Sequence, residues 1–280
     1  MDIIKSFMLE DGLFKGTFIA ADKTVADIWE KHNYPATLRP IFEQAVLMAL
    51  ALSAGIKYQG VFSLQIKGNG PVSLLYVDVT TDKKVRGYMS FDEQAELGEK
   101  ENLASLFGKG QLIFSVAGLG QEPYQGVVAL SDKSLIDTVK DYFRLSEQID
   151  TEIILRQSGN QGRCILLQRM PDKANFSAEN ITDLWETVTV LLNSIQDKEL
   201  FSDLSVDEIL FRLFHANKLV VFEPVVPVFE CRCYRGKMKN FLKKMTQNER
   251  QSLYNEAGQI EVSCQFCGEK YTFSKTDFGD

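Results

Sequence analysis

The sequence contains few histidines, no excess of positive charge and none of the common catalytic motifs. Only His32 and His215 occur among 280 residues, which argues against a histidine-containing metal site. Acidic residues outnumber Lys and Arg by 38 to 31, and a net charge of −7 argues against a general nucleic-acid binder. The patterns GxGxxG, GxxxxGK[ST], GxSxG and HExxH are absent, so we do not expect an enzyme.

Long apolar runs are also absent. The most apolar stretch, AVLMALALSAGI at residues 45–56, is well short of the ~20 residues that a membrane helix needs. The first residues, MDIIKSFMLEDG, contain neither the apolar core nor the cleavage site of a secretory signal. We therefore expect a cytoplasmic protein with no membrane partner.

The first 175 residues have the pattern of an α+β domain. Residues 40–56 have the apolar density of a buried helix, and residues 134–148 form an amphipathic pattern with Ser134 as its N-cap. Turn residues at 68–70 and at 158–160 each separate two strand-like runs, which indicates β-hairpins. Because strand patterns predominate, we predict a mixed sheet-and-helix domain at residues 1–175.

Helical patterns dominate the next segment, which we predict to be an apolar linker at residues 176–228. Residues 205–208 (SVDE) form a capping box that opens a helix. The linker is rich in Leu, Phe and Val and must bury that apolar face on another part of the protein. Pro224 and Pro227 should interrupt regular structure just before the first cysteine of the C-terminal group.

Residues 229–280 are predicted to form a small C-terminal zinc domain. A second capping box lies at residues 246–249 (TQNE), and Gly258 is expected to end that helix in the left-handed conformation. From residue 231 onward, nine Lys and Arg oppose six acidic residues, a local charge of +3. We expect the neighbouring cations Arg232, Arg235 and Lys237 to favour thiolates over thiols.

The cysteines carry the strongest chemical signal. Cys164 stands alone and is interpreted as a small buried hydrophobic residue. The four others form a C-x-C pair and a C-x-x-C-G pair with thirty residues between them: Cys231, Cys233, Cys264 and Cys267. This pattern predicts one tetrahedral four-thiolate zinc ion per chain. About fifty residues bury too little apolar surface to fold well alone, so the metal should supply folding free energy.

Spacing alone leaves several functions open for this zinc unit. It fits an inert structural clip or a redox switch, because thiolates are also the form that oxidants attack. A zinc-ribbon protein that binds nucleic acid or the ribosome is the main alternative, motivated by the basic tail. A thiol oxidoreductase using residues 264–267 is disfavoured, because the sequence lacks the βαβ setting of such motifs.

The cysteine pattern, together with motifs in the first domain, resembles the 33 kDa chaperonin family of redox-regulated heat-shock holdases. The similarity extends over nearly the whole chain. The matching motifs are LQIKGNGP at residues 64–71, VRGY at 85–88, YQGVV at 124–128, YF at 142–143, SEQ at 146–148 and EAGQIE at 256–261. YQGVV and YFxxSEQ together with the four cysteines make the resemblance specific.

The resemblance implies a mechanism. In such proteins the reduced, zinc-bound form is inactive, and the four cysteines are both zinc ligands and disulfide partners. Oxidation would form the Cys231–Cys233 and Cys264–Cys267 disulfides, release zinc and unfold the C-terminal unit with the linker. The exposed apolar surface would then bind unfolding client proteins without ATP, as a homodimer, in the response to oxidative stress.

Overall fold

The computed structural model of the chain describes residues 1–98, 102–118, 124–171 and 178–278. They form two large β-sheets, a C-terminal hairpin and several α-helices. The strands are β1 (Asp2–Leu9), β2 (Phe14–Ala21), β3 (Gly60–Gly68), β4 (Val72–Thr80), β5 (Lys84–Phe91), β6 (Gly110–Gly118), β7 (Tyr124–Ala129), β8 (Thr151–Ser158), β9 (Gln161–Arg169), β10 (Val220–Val221), β11 (Val228–Phe229), β12 (Gln259–Ser263) and β13 (Lys270–Ser274). The helices are α1 (Asp22–Trp29), α2 (Arg39–Gly55), α3 (Leu103–Phe107), α4 (Leu135–Tyr142), α5 (Ala178–Asn193), α6 (Asp197–Leu200), α7 (Val206–Phe214), α8 (Arg235–Lys243) and α9 (Gln247–Gln251).

The strands confirm the predicted α+β class. One sheet has five strands in the order β10-β1-β2-β9-β8, and the other has six in the order β11-β5-β4-β3-β6-β7. Neighbouring strands are antiparallel except β11, which runs parallel to β5. Both predicted hairpins are present, as β3–β4 and β8–β9.

Helix α2 forms the centre of the main core. It begins with Pro40 in its first turn, where the missing N–H costs nothing, and runs to Gly55 close to the predicted ends. It packs against β2 and β9 of the five-stranded sheet and against β3 and β4 of the six-stranded sheet. Its side chains are therefore buried almost all round, which explains why its sequence is apolar on every face.

A second core covers the opposite face of the five-stranded sheet. Phe7, Phe14 and Phe18 of that sheet pack with apolar residues of α5, α6 and α7, including Leu210 and Phe214. The linker therefore buries its apolar face on the five-stranded sheet. The capping box at the start of α7 is confirmed, since the Ser205 hydroxyl accepts the Glu208 N–H and Glu208 accepts the Ser205 N–H.

The chain is extended after α7 along residues 219–230, which we call the strap. Its strand β10 pairs with β1, Val225 pairs with Ile4, and its strand β11 pairs with β5. Pro224 and Pro227 lie between these short strands, at the predicted interruption. The predicted domain boundary at 175 lies outside the described residues, and that at 228 stays a prediction.

The two tyrosine motifs meet beside α4. The Ser134 hydroxyl caps α4 by accepting the Asp137 N–H, as predicted. Beyond Tyr142 the helix continues as a wider π-helical turn to Glu147. The Tyr124 and Tyr142 hydroxyls are 2.6 Å apart and both bond to the Glu147 carboxylate. The motifs therefore join β7 to the end of α4.

The C-terminal unit has a very small core. Leu242, Ile260 and Phe273 are its buried apolar residues. Gly258 does not end α9, contrary to the prediction, because that helix stops at Gln251 and closes through right-handed turns. Gly258 instead adopts φ +72° in the turn before β12, where its N–H donates to Asn255.

In the described part of the chain, no helix combines the length and apolar character required to cross a membrane.

Candidate metal centre

Four sulfur atoms converge in the C-terminal unit. The Sγ atoms of Cys231, Cys233, Cys264 and Cys267 all lie within 4.8 Å of one another. The separations are 3.6 Å between Cys231 and Cys264 and 3.4 Å between Cys233 and Cys267. Four sulfurs bound tetrahedrally at ~2.3 Å from one ion would lie about 3.8 Å apart. The donor set and its spacing therefore fit a single tetrahedral metal ion.

Two short backbone segments position the sulfurs. Cys231 and Cys233 lie between the strap and α8, where the chain leaves the edge of β5. Cys264 and Cys267 occupy the turn that joins β12 to β13. In that turn Gly268 has φ +71° and donates its N–H to the Cys264 carbonyl at 2.8 Å. A glycine is favoured there because side chains with a Cβ disfavour positive φ.

Hydrogen-bond donors surround the sulfurs. The backbone N–H groups of Cys233 and Glu269 favour the thiolate forms of Cys231 and Cys267, respectively, and so partly offset the rise in pKa that burial causes. The Tyr271 hydroxyl on β13 donates to the Cys233 sulfur at 3.2 Å. Such bonds stabilise thiolates and orient them toward a shared ion.

Burial opposes the ionisation of two of the four thiols. Burial raises the pKa of Cys231 and that of Cys267, so these thiols hold their protons at neutral pH. Burial also opposes ionisation of Cys233, but hydrogen bonds from Tyr271 and the neighbouring thiols lower the pKa of Cys233 below its ordinary value. A divalent cation would displace these protons and supply the charge that holds four thiolates together.

A buried carboxylate fastens the C-terminal unit to the six-stranded sheet. Asp78 on β4 is 1% exposed and receives the Arg86 guanidinium at 2.9–3.2 Å. It also receives Arg232 at 2.6 and 2.7 Å, from between the first two cysteines. We call this group of Asp78, Arg86 and Arg232 the arginine clasp. It ties the C-x-C pair directly to a buried charge of the first domain.

An aromatic contact reinforces the same junction. Phe266, inside the C-x-x-C turn, lies edge-on to Tyr88 with ring centroids 4.8 Å apart and to Tyr76 at 5.7 Å. The Arg86 guanidinium stacks over the Phe266 ring at 3.8 Å from its centroid. Both cysteine pairs therefore contact the six-stranded sheet through the residues between them.

Sequence reasoning placed the four cysteines together but missed their surroundings. Arg232 and Arg235 were expected to favour thiolates, yet they form ion pairs with Asp78 and Asp277. Arg86 is a cation that interacts with Cys231. Burial lowers the pKa of Arg86, but Asp78 and Cys231 raise that pKa by a larger amount, so it lies above its ordinary value. The VRGY motif contains Arg86 and was the sequence feature that could have indicated this contact. Its partner Asp78 lies in none of the motifs recognised in the sequence.

Comparison with known proteins identifies the family. The profile described as "Hsp33 protein" matches residues 2–274. The chain belongs to the Hsp33 family. The 33 kDa chaperonin of Shewanella woodyi is 32% identical over 276 residues, which is 99% of this chain and 94% of that protein. The 33 kDa chaperonin of Neisseria meningitidis serogroup A is 32% identical over 277 residues, 99% of this chain and 90% of that one.

A solved Hsp33 structure has the same fold. The 33 kDa chaperonin from Thermotoga maritima superposes with a TM-score of 0.83 at 21% identity, covering 99% of this chain and 96% of that one. The resemblance seen in the sequence motifs is confirmed. Membership of the Hsp33 family supports a chaperone function, and the clustered cysteines support a metal site within it.

Cys164 belongs to the main hydrophobic core and not to the four-sulfur cluster. It is fully buried on β9, and burial raises its pKa to about 12. We expect iodoacetamide at pH 8 to leave Cys164 unmodified in the folded protein, even after a chelator has exposed the other four thiols. Mass spectrometry of the alkylated protein, with a urea-denatured sample as the positive control, measures this. Labelling of Cys164 in folded protein would contradict its assignment to the core.

Proposed function

We propose that the chain is a redox-regulated, ATP-independent holdase whose resident metal is one zinc ion per chain. The observation that carries the proposal is the convergence of four sulfurs within 4.8 Å in a unit with three buried apolar residues. Four thiolates in tetrahedral array are typical of structural zinc. Since the unit has little core of its own, its folding depends on those sulfurs remaining thiolates.

Oxidation of the sulfurs is the proposed trigger. Each cysteine pair gives up two electrons to form a disulfide, so the cluster consumes two equivalents of a two-electron oxidant such as hydrogen peroxide. Four protons are taken up, four waters form, and the ion is left without ligands. The cytoplasm, whose thiol systems keep cysteines reduced, is the compartment in which such a switch would start from its reduced state.

We propose the disulfide pairing that the family resemblance implies, Cys231 with Cys233 and Cys264 with Cys267. In the reduced fold, the sulfurs of Cys231 and Cys264 are 3.6 Å apart, and those of Cys233 and Cys267 are 3.4 Å apart, so sulfurs of different pairs are also close. Peptide mapping of the oxidised protein would distinguish the two patterns, because only cross-pairing links a peptide of the C-x-C segment to one of the C-x-x-C segment.

The client-binding form is proposed to be oxidised and homodimeric. We expect the reduced protein to leave the aggregation of a thermally unfolding model enzyme unchanged. After peroxide at elevated temperature, or hypochlorite, it should suppress light scattering at near-stoichiometric ratio, without ATP and in step with zinc release. Full zinc release with undiminished aggregation would contradict the proposal. Size-exclusion chromatography of the same samples tests the dimer.

The paired charges of the basic tail argue against the nucleic-acid alternative. Arg232 bonds to Asp78, and both Arg235 and Lys239 lie within 4 Å of Asp277. These cations are already neutralised within the protein and are less available to phosphates. A salt-sensitive shift of RNA by the reduced protein would favour this alternative instead.

A further inference from the structure

The strap crosses the edges of both large sheets. At the five-stranded sheet, Val225 and Ile4 exchange N–H···O bonds of 2.7 and 2.9 Å, and the Phe222 N–H donates to the Ser6 carbonyl at 3.0 Å. At the six-stranded sheet, the N–H groups of Val228 and Glu230 donate to carbonyls of residues 83 and 85 at 3.2 and 3.1 Å. One extended segment therefore covers an edge of each sheet.

The strap is held by its backbone more than by its side chains. Val225, Val226 and Val228 are 45%, 58% and 44% exposed, and Val220 and Phe222 are also exposed. Backbone hydrogen bonds to a sheet edge do not depend on side-chain identity. An edge that holds a chain in this way is suited to many different sequences.

The strap also ends at the metal centre. Glu230 pairs with Lys84 at 2.7 Å, and the next two residues are the ligand Cys231 and Arg232 of the arginine clasp. Most of its side chains are exposed, and those of Leu219, Val221 and Phe229 are partly buried against the two cores, so the anchored end contributes to holding the strap in place. Loss of the metal would free its C-terminal end and uncover the edges of β1 and β5.

The uncovered edges are poorly protected against other chains. Neither β1 nor β5 contains proline, and the backbone groups that the strap now satisfies would lack partners. Native proteins usually block such edges, because they pair with any extended segment. The strap, with the sequence LVVFEPVVPVFE, is itself an apolar extended chain.

We propose that the strap is an internal stand-in for client, and that the oxidised protein binds extended apolar segments of unfolding proteins by strand addition to β1 and β5. This inference rests on the proposed holdase function and specifies the partner chemistry of its client site. Recognition is through main-chain hydrogen bonds, with apolar side chains contributing without fixed sequence.

The test uses labelled peptides of residues 219–230 and the full-length protein. One variant carries N-methyl groups at Phe222 and Val225, whose N–H groups face the β1 edge. A matched control carries them at Val221, which alternates with the edge-facing Phe222 within β10, and at Val226, whose N–H makes no backbone hydrogen bond to either sheet edge in the described part of the chain. Fluorescence anisotropy measures the binding of each peptide to oxidised and to reduced protein.

We expect the unmodified peptide to bind the oxidised protein and to bind the reduced protein at least about tenfold more weakly, because its own strap occupies the edges. Edge-facing methylation should weaken binding about tenfold or more, and outward methylation less than about threefold. Equal binding of both methylated peptides would overturn strand addition. Light-scattering assays on the same oxidised sample report the holdase activity separately, so failure of the proposed function is distinguished from failure of this inference.

Discussion

Removing zinc from the reduced protein is expected to unfold residues 231–278 and leave strands β1–β9 of the two large sheets folded. Among the described residues of the C-terminal unit, Leu242, Ile260 and Phe273 form the buried apolar core, whereas two extensive cores cover the two large sheets. Metal coordination in small zinc modules supplies about 10–16 kcal/mol of apparent folding free energy. A core of three residues cannot replace that contribution.

Hydrogen exchange after treatment with a strong chelator measures this effect. Amides of β12 and β13 should lose essentially all protection, while those of β2, β3 and β9 keep theirs. The Cys267→Ser variant should behave like the chelated protein. The Cys164→Ala variant, which removes a buried thiol outside the cluster, should retain metal and a protected tail. Persistent protection of β12 and β13 in metal-free protein would show that the unit folds on its own.

Breaking the arginine clasp is expected to destabilise the protein and to loosen the metal centre, although the changed residue is not a cysteine. Asp78→Asn removes a nearly inaccessible carboxylate that forms ion pairs with both Arg86 and Arg232. Removing one partner of a buried ion pair typically costs about 3–5 kcal/mol, because the remaining charge stays buried without compensation. The same change should undock the C-x-C pair and make oxidants release zinc faster.

Denaturant unfolding and the half-time of zinc release under peroxide measure both consequences. The matched control is Asp82→Asn, an exposed carboxylate four residues away, which should alter stability by less than about 0.5 kcal/mol. Arg232→Gln should speed zinc release with a smaller loss of stability, since Arg86 still neutralises Asp78. If Asp78→Asn and Asp82→Asn were equally stable and released zinc equally fast, the clasp would have no role in docking.

Local signals predicted much of the fold. The apolar run of α2, the hairpin turns and the capping residues Ser134 and Ser205 lie where the sequence places them, because each depends on neighbouring residues. Gly258 was misassigned because a left-handed glycine suits a turn before a strand as well as the end of a helix. Sequence spacing cannot separate the two.

Long-range features of the site were inaccessible to the same reasoning. The convergence of the four cysteines was the exception and could be predicted, because two close pairs of thiols are typical of tetrahedral thiolate sites. Asp78 looks like an ordinary strand residue, and only the packing of β4 beside β5 and the tail reveals that it holds two arginines. The strap was also hidden, because pairing with strands more than 130 residues earlier leaves no local periodicity.

We expect the oxidation state of four sulfurs to determine whether the tail and the strap are folded. Hydrogen exchange across residues 219–278, followed together with zinc release during peroxide oxidation, measures this dependence. Protection of the strap, β12 and β13 should disappear at the rate of zinc release and return when a reductant and zinc are restored. A disulfide-bonded, zinc-free protein that kept these amides protected would contradict the account.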